Sequence, residues 1–405
     1  MASARTILLG TCLSLGLTAG CGPAPSPENI GQIRAGGGYQ AQYRDPVTST
    51  QSEPLLLSER MNAEKCRPWD RAGGKGGGLV ATALRGERLS RNDLVDIRVS
   101  DDETFNGDYV VSRDGSLKLP FLPPIPAQGQ RPEDVEAALA RLLVSEGFYD
   151  EAPRISVRLA DFASISVAVS GAVFEPHAVE IGNRGADDRD TLRQNALGAS
   201  TEARNLSAAL RSVGGVRPDA DLSAVELRRG GKSYHLDMRG VFEGQHAVDV
   251  MLLTGDEITV PSRQCFQDDL MRPGPVSPPG VSLFLSNLTQ PATGNAPSAI
   301  GREVREVPYG TRFMQAVIDT NCVGGTRATS AHRSAILFTR NPMTGVSTVI
   351  ERNIEDMLRR ADRDDYDPYL LPGDSIACYD SSVTNLAEAA GVVGAVAAAG
   401  TVLGQ

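Results

Sequence analysis

The sequence predicts an α+β protein: a small mixed domain, then two β-rich modules of one pattern, then a membrane-seeking C-terminal helix. Three observations carry that reading. Between Leu89 and Val173, alternating apolar residues, a hairpin signal and one amphipathic helix follow one another in order. Two later segments close on nearly the same words, Leu252-Leu253-Thr254-Gly255-Asp256 and Leu370-Leu371-Pro372-Gly373-Asp374, an internal repeat at module spacing. After Glu388 no charged side chain follows to Gln405. A length of 405 residues allows two or three domains with ample core. A formal charge of −10 argues against a nucleic-acid partner, which needs a concentrated basic surface.

Residues 1–20 read as a lipoprotein signal peptide. Arg5 is their only charge, Ile7 to Leu17 is an apolar run of signal length, and Leu17-Thr18-Ala19-Gly20-Cys21 resembles a bacterial lipobox with Cys21 as the lipidated residue. The competing reading is an ordinary secretory cleavage before a chance Cys. Gly22 is not the Asp that holds lipoproteins at the inner membrane of enteric bacteria, so outer-membrane attachment is permitted. Several acyl chains on one Cys would anchor the chain firmly. Residues 21–82 are rich in Gly, Pro, Gln and Ser and read as an N-terminal arm or tether. Gly73-Gly74-Lys75-Gly76-Gly77-Gly78 lacks the spacing of a phosphate-binding loop, and no Ser or Thr follows Lys75, so it reads as a linker.

Residues 83–162 form the first domain. Leu89-Ser90-Arg91-Asn92-Asp93 is a turn feeding a strand with Val95, Ile97 and Val99 on one face. Gly107 to Pro120 reads as two short strands joined at Asp114-Gly115. After a Pro-rich crossing, Pro132 suits a first helical position, Glu133 and Asp134 suit the helix dipole, and Val135, Leu139, Leu142 and Leu143 share a face. Strands over Arg154–Leu159 and Ile165–Val169 follow. This order resembles the export domain of bacterial outer-membrane polysaccharide export (Wza-type) lipoproteins, over roughly residues 86–175. Asn92 stands where that family usually has Gly; Asn also tolerates the left-handed turn.

Residues 163–264 give a strand through Val167 and Val169, a helix over Asn205–Val213 ending at Gly214-Gly215, a strand over Ala224–Arg229 and a Gly-Asp turn into Ile258–Val260. This succession resembles the SLBB module, a β-grasp-like fold associated with sugars. His177 replaces a usual Gly, and residues 183–200 read as an inserted loop. A stiff Pro-rich linker occupies 265–279. Residues 280–380 repeat the pattern more faintly: Val281–Leu285, a helix from Thr311 to Asn321 ending near Gly324-Gly325, Ser334–Arg340 and the closing turn, with Asn287 in place of a Gly.

Residues 381–405 supply the C-terminal helix. Asn385-Leu386-Ala387-Glu388 is a capping box, and 386–403 as a helix would run roughly 27 Å, close to a hydrocarbon core of about 30 Å. Leu386, Val392, Val393, Val396 and Leu403 cluster on one side as the membrane face, while Ala387, Gly391, Gly394, Ala398 and Thr401 make a small-residue side. The competing reading is a helix packed on the second module, or a frayed tail.

Motifs for chemistry are missing. There is no His-Glu-x-x-His, Gly-x-Ser-x-Gly, Cys-x-x-Cys or Walker sequence, and His177, His235, His246 and His332 are scattered. Neither cofactor, metal nor catalytic set is expected. Cys12 leaves with the signal and Cys21 takes lipid, leaving Cys66, Cys265, Cys322 and Cys378. Four thiols in an oxidising periplasm suggest two bridges, with three connectivities open. Cys322 and Cys378 share a module and are paired first, which leaves Cys66 to tie the arm to Cys265. Free buried thiols are the competing reading.

The resemblance implies an outer-membrane lipoprotein with most of its chain in the periplasm, acting without enzyme chemistry. Several copies would form a homo-oligomeric ring through which a polysaccharide passes, meeting an inner-membrane copolymerase or chain-length regulator. Two other classes stay open: a periplasmic sugar-binding or envelope-scaffold lipoprotein without a channel, and a carbohydrate-modifying enzyme.

Overall fold

The computed structural model describes residues 66–69, 84–182, 202–244, 249–287, 305–319, 322–323, 333–359 and 366–379. Cys21, the signal segment, nearly all of the arm, the insertion at 183–200, Gly324-Gly325 and the C-terminal helix with Leu386, Val392, Val393, Val396 and Leu403 lie outside the described residues. Among the described residues no helix is long and apolar enough to cross a membrane. The chain divides into two compact units, Lys65–Pro279 and a second comprising Gly280–Gln405 with Met1–Glu64.

In the first unit, β1 (Leu94–Val99), β2 (Gly107–Val110), β3 (Ser116–Leu117), β4 (Ile125–Pro126), α1 (Pro132–Ser145) and β5 (Ile155–Asp161) make a small domain. Its sheet runs β2-β1-β5, antiparallel throughout, with β3-β4 a separate pair. The alternation in β1 places Val95, Ile97 and Val99 in the core, where Val135, Leu139 and Leu143 of α1 meet them. Leu142 is only partly buried, at the margin of that face. Pro132 opens the helix, and the Asp134 carboxylate accepts the Arg131 N–H at 3.2 Å.

The turn at Asp114-Gly115 forms, but it does not close a two-stranded hairpin as the sequence suggests. β2 pairs with β1, and β3 pairs with β4. The cause is local. Asp114 Oδ1 accepts from the Ser116 N–H at 3.0 Å and the Ser116 hydroxyl at 2.6 Å, while the Gly115 carbonyl accepts the N–H groups of Ala127 and Gln128, both at 2.9 Å. Those bonds commit the chain after Gly115 to β4, leaving Val110 in the other sheet.

The same unit continues with β6 (Ile165–Gly171), β7 (Ala178–Ile181), α2 (Leu206–Ser212), β8 (Val225–Arg229), β9 (Lys232–Leu236), the single turn α3 (Gly240–Glu243) and β10 (Glu257–Val260). The sheet order is β7-β6-β10-β8-β9, with β6 and β10 parallel and the other pairs antiparallel. Ile165, Val167 and Val169 point inward to Leu206, Ala209 and Leu210 of α2, and Ser166, Ala168 and Ser170 face solvent.

The second unit holds β11 (Val281–Asn287), β12 (Arg305–Val307), α4 (Phe313–Asp319), β13 (Ser334–Arg340), β14 (Ser347–Asn353), α5 (Ile354–Arg359) and β15 (Ser375–Tyr379). Its sheet runs β12-β11-β15-β13-β14, with β11 and β15 parallel. In both five-stranded sheets the last strand lies between the first and the third. The faint internal repeat is therefore a duplicated topology.

Candidate functional site

One turn is used three times. In Leu89–Asp93, Leu252–Asp256 and Leu370–Asp374 a residue with positive φ (Asn92 at 68°, Gly255 at 89°, Gly373 at 88°) precedes an Asp. The Asp carboxylate accepts the N–H three residues back: Ser90 at 2.7 Å, Leu253 at 2.8 Å and Leu371 at 2.9 Å. The Asp N–H returns the bond to the same residue's carbonyl, at 3.3, 3.1 and 3.1 Å. Each turn launches a strand, and each Asp side chain also reaches a partner outside its turn. The choice of that partner differs from turn to turn.

Asp93 takes Arg204, which stands just before α2 in the five-stranded module of the same unit. Arg204 Nη1 lies 2.7 Å from Asp93 Oδ1 and both side chains are wholly buried. The same carboxylate accepts the N–H of Ala163, in the link between β5 and β6, at 2.9 Å. Ser90 and Thr254 join the first two turns directly, with the Ser90 hydroxyl 3.3 Å from the Thr254 hydroxyl and accepting the Thr254 N–H at 3.2 Å. The aliphatic part of Arg204 lies under Gly182, where a Cβ would meet Arg204 Cγ at 2.8 Å. Burial pushes the Asp93 carboxyl up, against the opposing pull of Arg204 and of the Ser90 and Ala163 N–H groups. Both Asp93 oxygens are satisfied while the buried Arg204 Nε has no hydrogen-bond partner among the described residues, and breaking the pair leaves a bare charge. This joint fixes the small domain to the first five-stranded module.

Asp256 takes Arg229 at 2.6 Å, within its own sheet, and Asp374 takes the Thr339 hydroxyl at 2.5 Å. Both partners end up beside their turns because β8 and β13 pair in the same register with the strand that follows each Asp.

Sulfur chemistry reinforces the two units separately. Cys66 is bonded to Cys265 and Cys322 to Cys378, the pairs set out from the sequence. Beside the first bridge, the Arg67 N–H donates to the Arg263 carbonyl at 2.8 Å, and the Arg263 guanidinium lies 3.8 Å over the Trp69 ring. The arm is thereby stapled to the first module at residues 66–69.

Four phenylalanines are exposed among the described residues: Phe121, Phe148, Phe284 and Phe338. Phe121, between Pro120 and Pro123 in the β3–β4 loop, is 79% exposed with φ at +63°, a strained conformation for a bulky side chain. Phe284 and Phe338 face outward from the second unit's sheet at 57% and 44% exposure. They flank Ser375 in one cross-strand row. Elsewhere in the small domain, the Tyr149 hydroxyl donates to Asp102 at 2.5 Å, which lowers the Asp102 carboxyl and pushes the phenol up to about 12.

Among the described residues no group of His, Cys, Asp and Glu could hold a metal ion. Sequence reasoning noted the two closing turns but missed three features: the third copy of the turn, the Arg204 lock and the aromatic row. The repeated pattern of Leu-x-x-Gly/Asn-Asp is a signal that finds the first of these.

Residues 82–160, which contain β1 to nearly all of β5, match the family model for polysaccharide biosynthesis/export proteins. No curated protein matches the chain. The match supports a role in polysaccharide export. The matched segment is the stretch whose ordered features, from Leu89 onward, resemble that export domain.

Proposed function

We propose that this chain is an outer-membrane lipoprotein whose copies close into a ring, and that a polysaccharide crosses the outer membrane through the lumen without being chemically altered. The match at residues 82–160 is the observation that carries this reading. The two sheets of one topology suit SLBB-like modules at 163–264 and 280–380, with 265–279 as the linker. The Asp93–Arg204 lock supports it as well, because a ring closes only if each subunit keeps a fixed angle to the next. In this reading Cys21 carries the lipid, residues 386–403 form a helix in the membrane wall, and the periplasmic end meets an inner-membrane copolymerase. The chain works as a conduit and makes or breaks no bond in the polymer.

Deleting the gene tests the reading. Surface polymer should disappear, return with the full chain and fail to return with Cys21→Ser. Electron micrographs of detergent-extracted protein should show rings with a central hole. Surface polymer at normal levels in the deletion strain would overturn it, and particles without a hole would leave a scaffold role instead.

A further inference from the structure

We infer that the outward face of the β12-β11-β15-β13-β14 sheet is a carbohydrate-binding surface that takes a short stretch of an acidic polysaccharide. The inference rests on the export reading for the class of ligand and on this sheet alone for the site.

Four strands contribute one row to that face. Phe284 of β11 lies opposite Ser375 of β15, Ser375 opposite Phe338 of β13, and Phe338 opposite Val349 of β14. Residues in register on neighbouring strands project to the same side, so both rings stand on one face about 10 Å apart, two strand spacings. Strand alternation makes them unusual. Val281 and Leu283 are the buried phase of β11, and Leu337 and Thr339 that of β13, so the two rings occupy positions normally given to polar residues. Only 5% of the chain is aromatic, which makes two exposed rings in one row harder to assign to chance.

The chemistry beside the rings is polar and cationic. A cavity of about 790 Å³ opens at the Phe338 end, lined among others by Phe338, Arg340, Ser347, Ser375 and the buried Asp374, whose carboxylate accepts from the Leu371 N–H and the Thr339 hydroxyl. That volume falls in the range of small-ligand sites, about 300–1,000 Å³. Arg340 is exposed, donates through Nε to the Gly345 carbonyl at 2.7 Å, and has no acidic partner among the described residues. A cation left open beside ring faces and hydroxyls complements a chain that has apolar sugar faces, hydroxyl groups and carboxylates. The rings would stack on the sugar faces, Ser347 and Ser375 would exchange hydrogen bonds with hydroxyls, and Arg340 would hold a carboxylate. The row is bordered on one side by Arg340 and Ser347 and on the other by Ile336, Ala377 and Glu351.

The equivalent row of the first five-stranded sheet is a control built into the chain. It reads Ala168, Glu257, Arg228, Ser233, and its central charges pair with each other at 3.0 Å. It offers neither ring nor open cation.

The test is calorimetric titration of the full-length protein with a hexasaccharide of α-1,4-linked galacturonate and with its methyl ester. Wild type should bind both, the acid more tightly. Phe284→Ala and Phe338→Ala should each weaken both ligands about threefold to tenfold. Arg340→Gln should weaken the acid and leave the ester unchanged. All three residues are exposed, so the variants should match wild type in melting temperature. Absence of saturable binding by wild type, or equal binding by the Phe284→Ala/Phe338→Ala double variant, overturns the inference. So does loss of assembly without loss of sugar binding, which assigns the face to a second copy. Binding that appears only after residues 381–405 are removed assigns it to the chain's own C-terminal segment and overturns it too. Failure of the export reading looks different, since surface polymer then persists in the deletion strain whatever these titrations give.

Discussion

The two five-stranded sheets follow the same path and close it differently. In the first, the Gly215 N–H donates to the Leu210 carbonyl at 2.9 Å after α2; in the second, the Cys322 N–H donates to the Val317 carbonyl at 3.1 Å after α4. Val260 pairs with Gly171 in one parallel ladder, and Cys378 pairs with Asn287 in the other. Gly215 and Val260 of the first sheet thus correspond to the bridged Cys322 and Cys378 of the second. A Cβ on Gly215 would meet the Pro278 nitrogen at 2.3 Å, because the Pro-rich linker packs onto that helix end. One module seals its helix end with the linker and the other with a disulfide. A second substitution follows the same logic. The Leu252 N–H donates to the Arg204 carbonyl at 2.7 Å, and the Leu370 N–H to the Thr311 carbonyl at 3.0 Å, so Thr311 stands where Arg204 stands. The lock on the small domain therefore belongs to the first module only. Shared backbone instructions set the topology, and a few side chains at equivalent positions decide what each copy is used for.

The sharpest way to break this difference is at Arg204. Arg204→Ala should destabilise the first unit by about 3–5 kcal/mol, because Asp93 is left buried and unpaired. Denaturant unfolding of the purified chain reads the change. Replacing both partners, as Asp93→Asn with Arg204→Met, should recover much of the loss. A loss no larger than that of Thr311→Ala would show that Arg204 does nothing its counterpart does not.

The sulfur closure comes next. Cys322→Ser should cost the second unit about 2–5 kcal/mol, the range for native bridges in secreted domains. Moving the bridge into the first module should fail: Gly215→Cys with Val260→Cys should lower stability, since any Cβ at Gly215 displaces the Pro278 backbone. Melting curves with and without reductant separate the two results. A Gly215/Val260 double cysteine variant that gains stability under oxidising conditions would show that the linker contact is dispensable.

Asp374 gives a smaller effect of the same kind. Its carboxylate accepts the Leu371 N–H and the Thr339 hydroxyl. Asp374→Ala should cost about 1–3 kcal/mol, the penalty of buried groups left unsatisfied. A loss as large as that at Asp93 would mean that the third turn bears more than hydrogen bonds.

These effects show which parts of the molecule were legible in its sequence. Period-two alternation found β1 and β11, because each has one face in a core. Gly214-Gly215 marked the end of α2, where both residues have positive φ, at 76° and 80°. The cysteine pairing followed from a module boundary. Arg204 did not follow from anything local. It lies 111 residues from Asp93, and a wholly buried Arg runs against the habit of the residue. The hairpin at Asp114-Gly115 was misread for a related reason: the turn is local, but the partner of β3 is fixed by the Gly115 carbonyl bonds to Ala127 and Gln128. Phe284 and Phe338 were visible as strand residues, and their meaning lay in the phase they occupy.

The mildest intervention turns the outer row of the first sheet into that of the second. Arg228 and Glu257 are 61% and 57% exposed, and an exposed pair of this kind is worth about 0–1 kcal/mol. Ala168→Phe, Arg228→Phe and Glu257→Ser together should therefore leave the melting temperature of the first unit within a few degrees of wild type. The grafted row carries the rings but not the cation, since Gly230 follows Arg229 where Arg340 follows Thr339. It should add a second site for the neutral methyl-ester hexasaccharide with no preference for the acid. Calorimetric stoichiometry rising from one site to two for the ester is the expected result. If the graft folds as wild type and the stoichiometry stays at one, paired rings are insufficient, and the cavity beside Phe338 does the selecting.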